Sequence, residues 1–254
     1  MNTVSSVGAV PLAELGRLLG KPGSVPPPRS DHALTDWQMQ RDDAPILRYL
    51  FSTLAPRRHL EFGTWQGFGT CLCLEACAGT VWTLNLPDGE SKADGSWAYG
   101  ERVVDETPAP PGAVRVNFGH DETGPRTYHR TDAGGYIGRL YREKGLGPRV
   151  CQIYCDSREW DTSAYPPGFF DSVLVDGGHQ ADVVINDTRK ALPLLRRGGL
   201  MLWHDFCPKS DVIGHFPSIQ GVTSAIESLL PEIAPQFAEL AWIDPSLILL
   251  GIKR

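Results

Sequence analysis

The stretch His59–Leu86, "HLEFGTWQGFGTCLCLEACAGTVWTLNL", carries an acid at Glu61, glycines at Gly63, Gly67 and Gly69, and then an apolar run. Its periodicity reads as a strand ("RHLEFG"), a helix over about 67–78, and a second strand ("TVWTLNL"). In open α/β sheets ligands bind beyond the carboxyl ends of the strands, and a glycine-rich turn there lets a ligand approach the backbone. The spacing E-x-G-x-x-x-G differs from the G-x-G-x-x-G of dinucleotide sites. A carboxylate just ahead of the turn repels a pyrophosphate and suits a cationic group. Taken alone, such a turn also arises from helix–strand packing.

Working outward, "DAPILRYLFSTLAP" from Asp43 has apolar residues at helical spacing and is closed by a proline. Downstream the alternation resumes with "RVCQIYCDS", "DSVLVDGG", a helix over about 181–195, "GLMLWHDF", a helix in "VTSAIESLLPEI", and two closing strands, "FAELAWID" and "LILLGIK". Strands spaced by helices predict a mostly parallel, doubly wound α/β sheet, and the short last connection predicts an antiparallel C-terminal strand. Residues 1–42, with "KPGSVPPPRSD", read as an N-terminal arm ahead of a domain over 43–254. The segment at about 87–134 is rich in Gly, Pro and charge, and a loop of that length is functional or disordered. It reads as a substrate-side flap, with a disordered insertion as the alternative.

A net charge of −6 argues against nucleic acid or an anionic membrane as partner. No apolar run approaches the roughly 20 residues that span a bilayer, and "MNTVSSVGAVPLAELGRLLGKPG" lacks the pattern of a signal peptide. Cys71, Cys73, Cys77, Cys151, Cys155 and Cys207 show no C-x-x-C or zinc spacing, which predicts reduced thiols in a cytoplasmic protein. A homo-oligomer is left open, since the apolar terminal hairpin and the proline-rich arm could each meet a second copy.

The chain resembles the class I S-adenosylmethionine-dependent methyltransferases over about 58–254. Within them, "FFDSVLVDGGHQADVVINDTRKALPLLRRGGLMLWHDF" is similar to the macrocin-type sugar O-methyltransferases of natural-product pathways. The resemblance implies a Rossmann-like, seven-stranded sheet, S-adenosylmethionine as cofactor and a small-molecule acceptor. It implies that Glu61, Gly63 and Gly67 line the methionine end of the cofactor, and that Asp156, with Ser157, faces the adenine. Asn85 stands where the family carries an acid for the ribose hydroxyls; an amide still donates and accepts hydrogen bonds there.

At the next strand ends stand Asp176 and His179, then His204 and Asp205. Carboxylates and imidazoles converging there are costly to bury unless paired or bound to a cation. The resemblance implies a Mg²⁺ site made by acids, with a histidine three residues after the first acid as base. The metal candidates are therefore Asp176, Asp205 and His204, and the catalytic candidates are His179 first and His204 second. His204 replaces an acid, which weakens the case for Mg²⁺ and leaves Mn²⁺, Fe²⁺ or a metal-free site open. Asp187 reads as a solvated helical charge in preference to a residue that orients a histidine, and Trp65, Trp97, Tyr99, Tyr128 and Tyr136 as residues that pack before they bind. Competing readings keep the cofactor but methylate nitrogen or carbon, run a cyclase or decarboxylase reaction, or leave an inactive accessory subunit.

Overall fold

The computed structural model describes residues 6–86, 114–121, 124–130 and 137–254. Its strands are β1 (Gly8–Pro11), β2 (Arg58–Phe62), β3 (Thr80–Asn85), β4 (Val114–Asp121), β5 (Gly124–Arg130), β6 (Val150–Tyr154), β7 (Phe170–Val175), β8 (Leu195–Trp203), β9 (Phe237–Asp244) and β10 (Leu249–Lys253). The helices are α1 (Leu15–Leu18), α2 (Ala44–Leu54), α3 (Phe68–Ala76), α4 (Arg139–Glu143), α5 (Ala181–Leu194), α6 (Ser210–His215) and α7 (Pro217–Ile233). Among the described residues no helix is long and apolar enough to cross a membrane.

The main sheet runs β1-β9-β10-β8-β7-β2-β3-β6. β6, β3, β2, β7 and β8 are mutually parallel, and β10 is antiparallel to both β8 and β9, as the closing hairpin predicted. The sheet has eight strands rather than seven. The extra one is β1, which leaves the N-terminal arm and pairs parallel to β9, with Gly8 opposite Ala241. Four residues are too few to show a period, and Pro11 is tolerated because the strand lies at an edge. The described residues of the 87–134 segment form an antiparallel hairpin, β4 with β5. The flap reading for the rest of that segment falls on residues outside those described, as do Trp97, Tyr99 and Tyr136.

The period of two along each strand divides the core between the faces. Leu60, Phe62, Val173, Val175, Met201 and Trp203 join one cluster, with Val184 of α5 and Val222 and Ile226 of α7. Leu174, Leu200, Leu202 and Leu250 join the other, with Leu47, Leu50 and Phe51 of α2 and Leu72 of α3. Leu47, Leu50 and Phe51 are fully buried, and each such side chain contributes roughly 1.5–3 kcal/mol. Helices therefore cover both faces and leave the carboxyl edge of the strands open for chemistry.

That edge is held in step by hydrogen bonds that run past the strand ends. The Gly63 N–H donates to the Leu84 carbonyl at 2.9 Å, Asp176 to Phe62 at 2.9 Å, and His204 to Val175 at 3.0 Å. The first residues after β2, β7 and β8 thus emerge side by side.

Candidate active site

Gly63 turns the chain out of β2 with φ at +92°, and a Cβ there would lie 2.0 Å from the Asp176 carbonyl oxygen. Only glycine fits, because conformation and space both exclude a side chain. Gly67, at φ +88°, starts α3. Gly69 is the glycine that makes room for the Glu61 carboxyl, since a Cβ would fall 2.2 Å from Oε1. Glu61 itself is 1% exposed. It accepts hydrogen bonds from the Thr83 hydroxyl at 2.8 Å and from the Thr70 hydroxyl. Burial pushes its carboxyl up to about 8 against those two bonds, so a cationic ligand group is what would return it to the charged form.

Asn85 braces the same turn. Its Oδ1 accepts the Trp65 N–H at 2.8 Å and its Nδ2 donates to the Leu86 carbonyl at 2.7 Å. Asp156 accepts its partner Arg158 through the backbone N–H at 2.9 Å and through the guanidinium. Burial alone would raise the Asp156 carboxyl, but Arg158 outweighs it and holds the group below the usual range. Ser157 bonds to Asp187.

Asp187 corrects the sequence reading: it is 1% exposed rather than solvated. It accepts Asn186 Nδ2 at 2.9 Å, and burial pushes its carboxyl up to about 6. The helical period alone does not show that α5 turns this position towards the sheet and Gly177.

At the ends of β7 and β8 two carboxylates are flanked by two imidazoles. His179 Nε2 lies 2.8 Å from Asp205 Oδ2. His204 Nδ1 lies 3.2 Å from Asp176 Oδ1 and 3.5 Å from Asp205 Oδ1, and its Nε2 is hydrogen-bonded to Asp43 Oδ2 at 3.0 Å. Asp205 adopts φ +56°, an uncommon conformation for a non-glycine residue that aims its carboxylate at both histidines. Burial lowers the His204 pKa, but the Asp176 and Asp205 carboxylates outweigh it and raise that pKa well above the ordinary value. His179 is raised as well: burial acts downwards and Asp205 prevails. The two histidines in turn hold Asp205 well below the usual carboxylate range despite its burial. One donor atom each from Asp176, His179 and Asp205 lies within 4.8 Å of the others.

A cavity of about 270 Å³ joins the two ends: Glu61, Gly63 and Trp65 line one part, and Asp176, His179 and Asp205 another. His204 also lines it, whereas Gly67, Asn85, Asp156 and Ser157 are not part of its wall. Three wall residues come from the segment read as an arm: Trp37, Met39 and Gln40. Trp37 is 5% exposed, and its indole N–H has no hydrogen-bond partner among the described residues. α7 reaches the site through Gly221, where a Cβ would lie 2.0 Å from the His179 carbonyl oxygen.

Asp43 and Trp37 were missed by sequence reasoning. Asp43, placed before "APIL", has the signature of a helix N-cap. It occupies that position without a side-chain capping bond and turns its carboxylate to His204 and, at 3.2 Å, to the Leu247 N–H.

Comparison with known proteins agrees with the fold. The structure is similar to a proposed caffeoyl-CoA O-methyltransferase from Staphylococcus aureus, at 12% identity, 96% of this chain, 90% of that chain and a TM-score of 0.51. It also matches an O-methyltransferase from Bacillus cereus in complex with SAH (17% identity, 95% and 90% coverage, TM-score 0.48). A third match is the O-methyltransferase TomG from Streptomyces achromogenes, involved in tomaymycin synthesis and bound to SAM (16% identity, 96% and 88% coverage, TM-score 0.47). No curated protein sequence matches. Residues 60–206 match the family described as a methyltransferase domain, a span that holds the Gly63 turn, the Asp176–His179 loop and the His204–Asp205 pair; the chain belongs to that family, the class I S-adenosylmethionine-dependent methyltransferases.

Proposed function

We propose that the protein methylates a hydroxyl group of a small molecule, with Glu61, Gly63 and Gly67 at the methionine end of the cofactor and His179 as the base. The observation that carries this reading is the shared cavity: the buried acid of the glycine turn and the two-histidine, two-carboxylate cluster open into one space. S-adenosylmethionine supplies a methyl group on sulfonium, already activated for in-line displacement. The chain supplies position and a proton acceptor. Asp205 beside His179 Nε2 favours the tautomer with hydrogen on that atom, which leaves Nδ1 basic. A hydroxyl losing its proton to that nitrogen becomes the nucleophile.

Asp176, Asp205 and His204 are the residues that would hold a divalent cation: His204 Nδ1 lies 3.2 Å from Asp176 Oδ1 and 3.5 Å from Asp205 Oδ1. Such an ion would lower the pKa of an acceptor hydroxyl and fix its orientation. Asn85 and Asp156 with Ser157 are assigned to the ribose and adenine by the sequence resemblance. The natural-product role rests on the same resemblance in the 169–206 segment. All six cysteines are free thiols, which fits the reducing cytoplasm.

The test is incubation with S-adenosylmethionine and a panel of hydroxylated aromatics and sugars, with products read by mass and by the NMR position of the new methyl group. An O-methyl product lost in His179→Asn supports the reading. N- or C-methylation, or conversion without a mass gain, overturns it.

A further inference from the structure

Asp43 is fully buried and belongs to none of the motifs that carry the family resemblance. A carboxylate in such a place is strongly disfavoured unless it is hydrogen-bonded to a partner. Its two oxygens have separate partners: Oδ1 accepts the Leu247 N–H at 3.2 Å and Oδ2 faces His204 Nε2 at 3.0 Å. The bond to Leu247 ties the carboxylate to the β9–β10 connection, so the acid is aimed by the sheet and not by its own helix.

A carboxylate accepts hydrogen bonds, so the hydrogen in the second contact sits on Nε2. The nitrogen presented to Asp176 and Asp205 is therefore Nδ1, at 3.2 and 3.5 Å from their nearer oxygens; it too carries hydrogen while it faces only carboxylates, and a cation bound there would take the place of that hydrogen. Adjacent donors around a divalent ion with bonds of about 2.1 Å lie roughly 3.0–3.4 Å apart, from octahedral to tetrahedral arrangement. Carboxylate, imidazole and a pair of further acids in this order form the outer-shell arrangement that orients a ligating histidine. One nitrogen donor also moves the preference away from Mg²⁺, which favours oxygen, towards ions that accept imidazole.

Resting on the reading that Asp176, Asp205 and His204 hold a divalent cation, we propose that Asp43 is a positioning residue: it fixes hydrogen on His204 Nε2 and offers Nδ1 to the cation. The site then takes Mn²⁺ or Zn²⁺ ahead of Mg²⁺.

The experiment titrates the full chain with MnCl₂ and MgCl₂ by calorimetry, and follows the His204 ring nitrogens by ¹H–¹⁵N NMR with and without Zn²⁺. Mn²⁺ is expected to bind at least about 10-fold tighter than Mg²⁺. Asp43→Asn should weaken Mn²⁺ by roughly 10–100-fold, the usual effect of removing an outer-shell partner, while S-adenosylhomocysteine affinity is retained. His204→Asp should reverse the metal preference and make Mn²⁺ binding indifferent to Asp43→Asn, a result that a merely structural role for Asp43 would not produce. In the Zn²⁺-loaded wild type, His204 should carry hydrogen on Nε2 and none on Nδ1, a readout that stands even where Asp43→Asn fails to fold. Equal Mn²⁺ affinity in Asp43→Asn overturns the role of Asp43 and leaves the metal reading intact, whereas hydrogen retained on Nδ1 in the Zn²⁺-loaded protein removes His204 from the ligand set and overturns both. Absence of Mn²⁺ binding by the wild type, or binding undiminished in Asp176→Asn, overturns both.

Discussion

The two ends of the cavity are built in different ways. The end around Glu61 comes from one contiguous run, residues 61–69, in which backbone geometry does most of the selection: Gly63 must be glycine for conformation, and Gly69 for space. The opposite end is assembled from segments far apart in the chain: Trp37–Gln40, Asp43, Asp176–His179, His204–Asp205 and Phe216–Ile219. Its selection is electrostatic, with His204 held among three carboxylates. A contiguous site can be read as a motif. A dispersed one becomes visible only when the fold brings its charges together.

The contrast predicts separable losses. The largest follows from Gly63→Val, where a side chain meets the Asp176 carbonyl and φ +92° is unavailable to a β-branched residue. Cofactor binding should fall below detection in equilibrium dialysis with labelled S-adenosylmethionine; retention within 10-fold would break the assignment of this end. Next is His179→Ala at the opposite end, expected to lower kcat by roughly 10²–10⁴-fold with cofactor affinity unchanged. Loss of both together would mean that the ends do not function separately.

A third prediction concerns pH. The Asp187 carboxyl is raised from 3.8 to about 6 on folding, so its contribution is most favourable below pH 4 and is lost as pH rises through 6. At pH 7.5 the buried charge costs about 3 kcal/mol by the conversion of pKa into free energy. Asp187→Asn should therefore stabilise the protein by roughly 1–3 kcal/mol at pH 7.5, with the gain vanishing near pH 4. Urea unfolding at the two pH values measures it, and an equal effect at both would contradict the buried charge. The smallest effect is expected at Trp37, whose unpartnered N–H lies in the cavity wall, where the proposed function places the acceptor. Trp37→Phe should raise the acceptor KM by roughly 5–10-fold, the worth of one hydrogen bond, and leave kcat within 2-fold. A change in kcat alone would place Trp37 outside acceptor binding.

The strands and helices were legible because their apolar periods are clean: α2, α5 and β7 to β10 fall within a few residues of their expected places. β1 was not, because four residues carry no period and only β9 gives them a role. The glycine turn after β2 and the placing of Asp176 and His179 at the end of β7 were legible as motifs. Asp43 and Trp37 were not, because one resembles a helix cap and the other an ordinary buried aromatic, and both lie in or beside a segment that reads as an arm. Asp187 was misread because a polar residue on a helix signals solvent unless the facing sheet edge is known.

The most direct test of the whole account is a calorimetric titration of the wild-type chain with S-adenosylhomocysteine at pH 7, run in two buffers of different ionisation enthalpy. One site per chain with micromolar affinity is expected, with proton release as the ligand ammonium returns Glu61, raised to about 8 in the free protein, to its carboxylate form. Absence of binding by protein that melts cooperatively would contradict it, and binding without proton release would remove Glu61 from the cofactor contact.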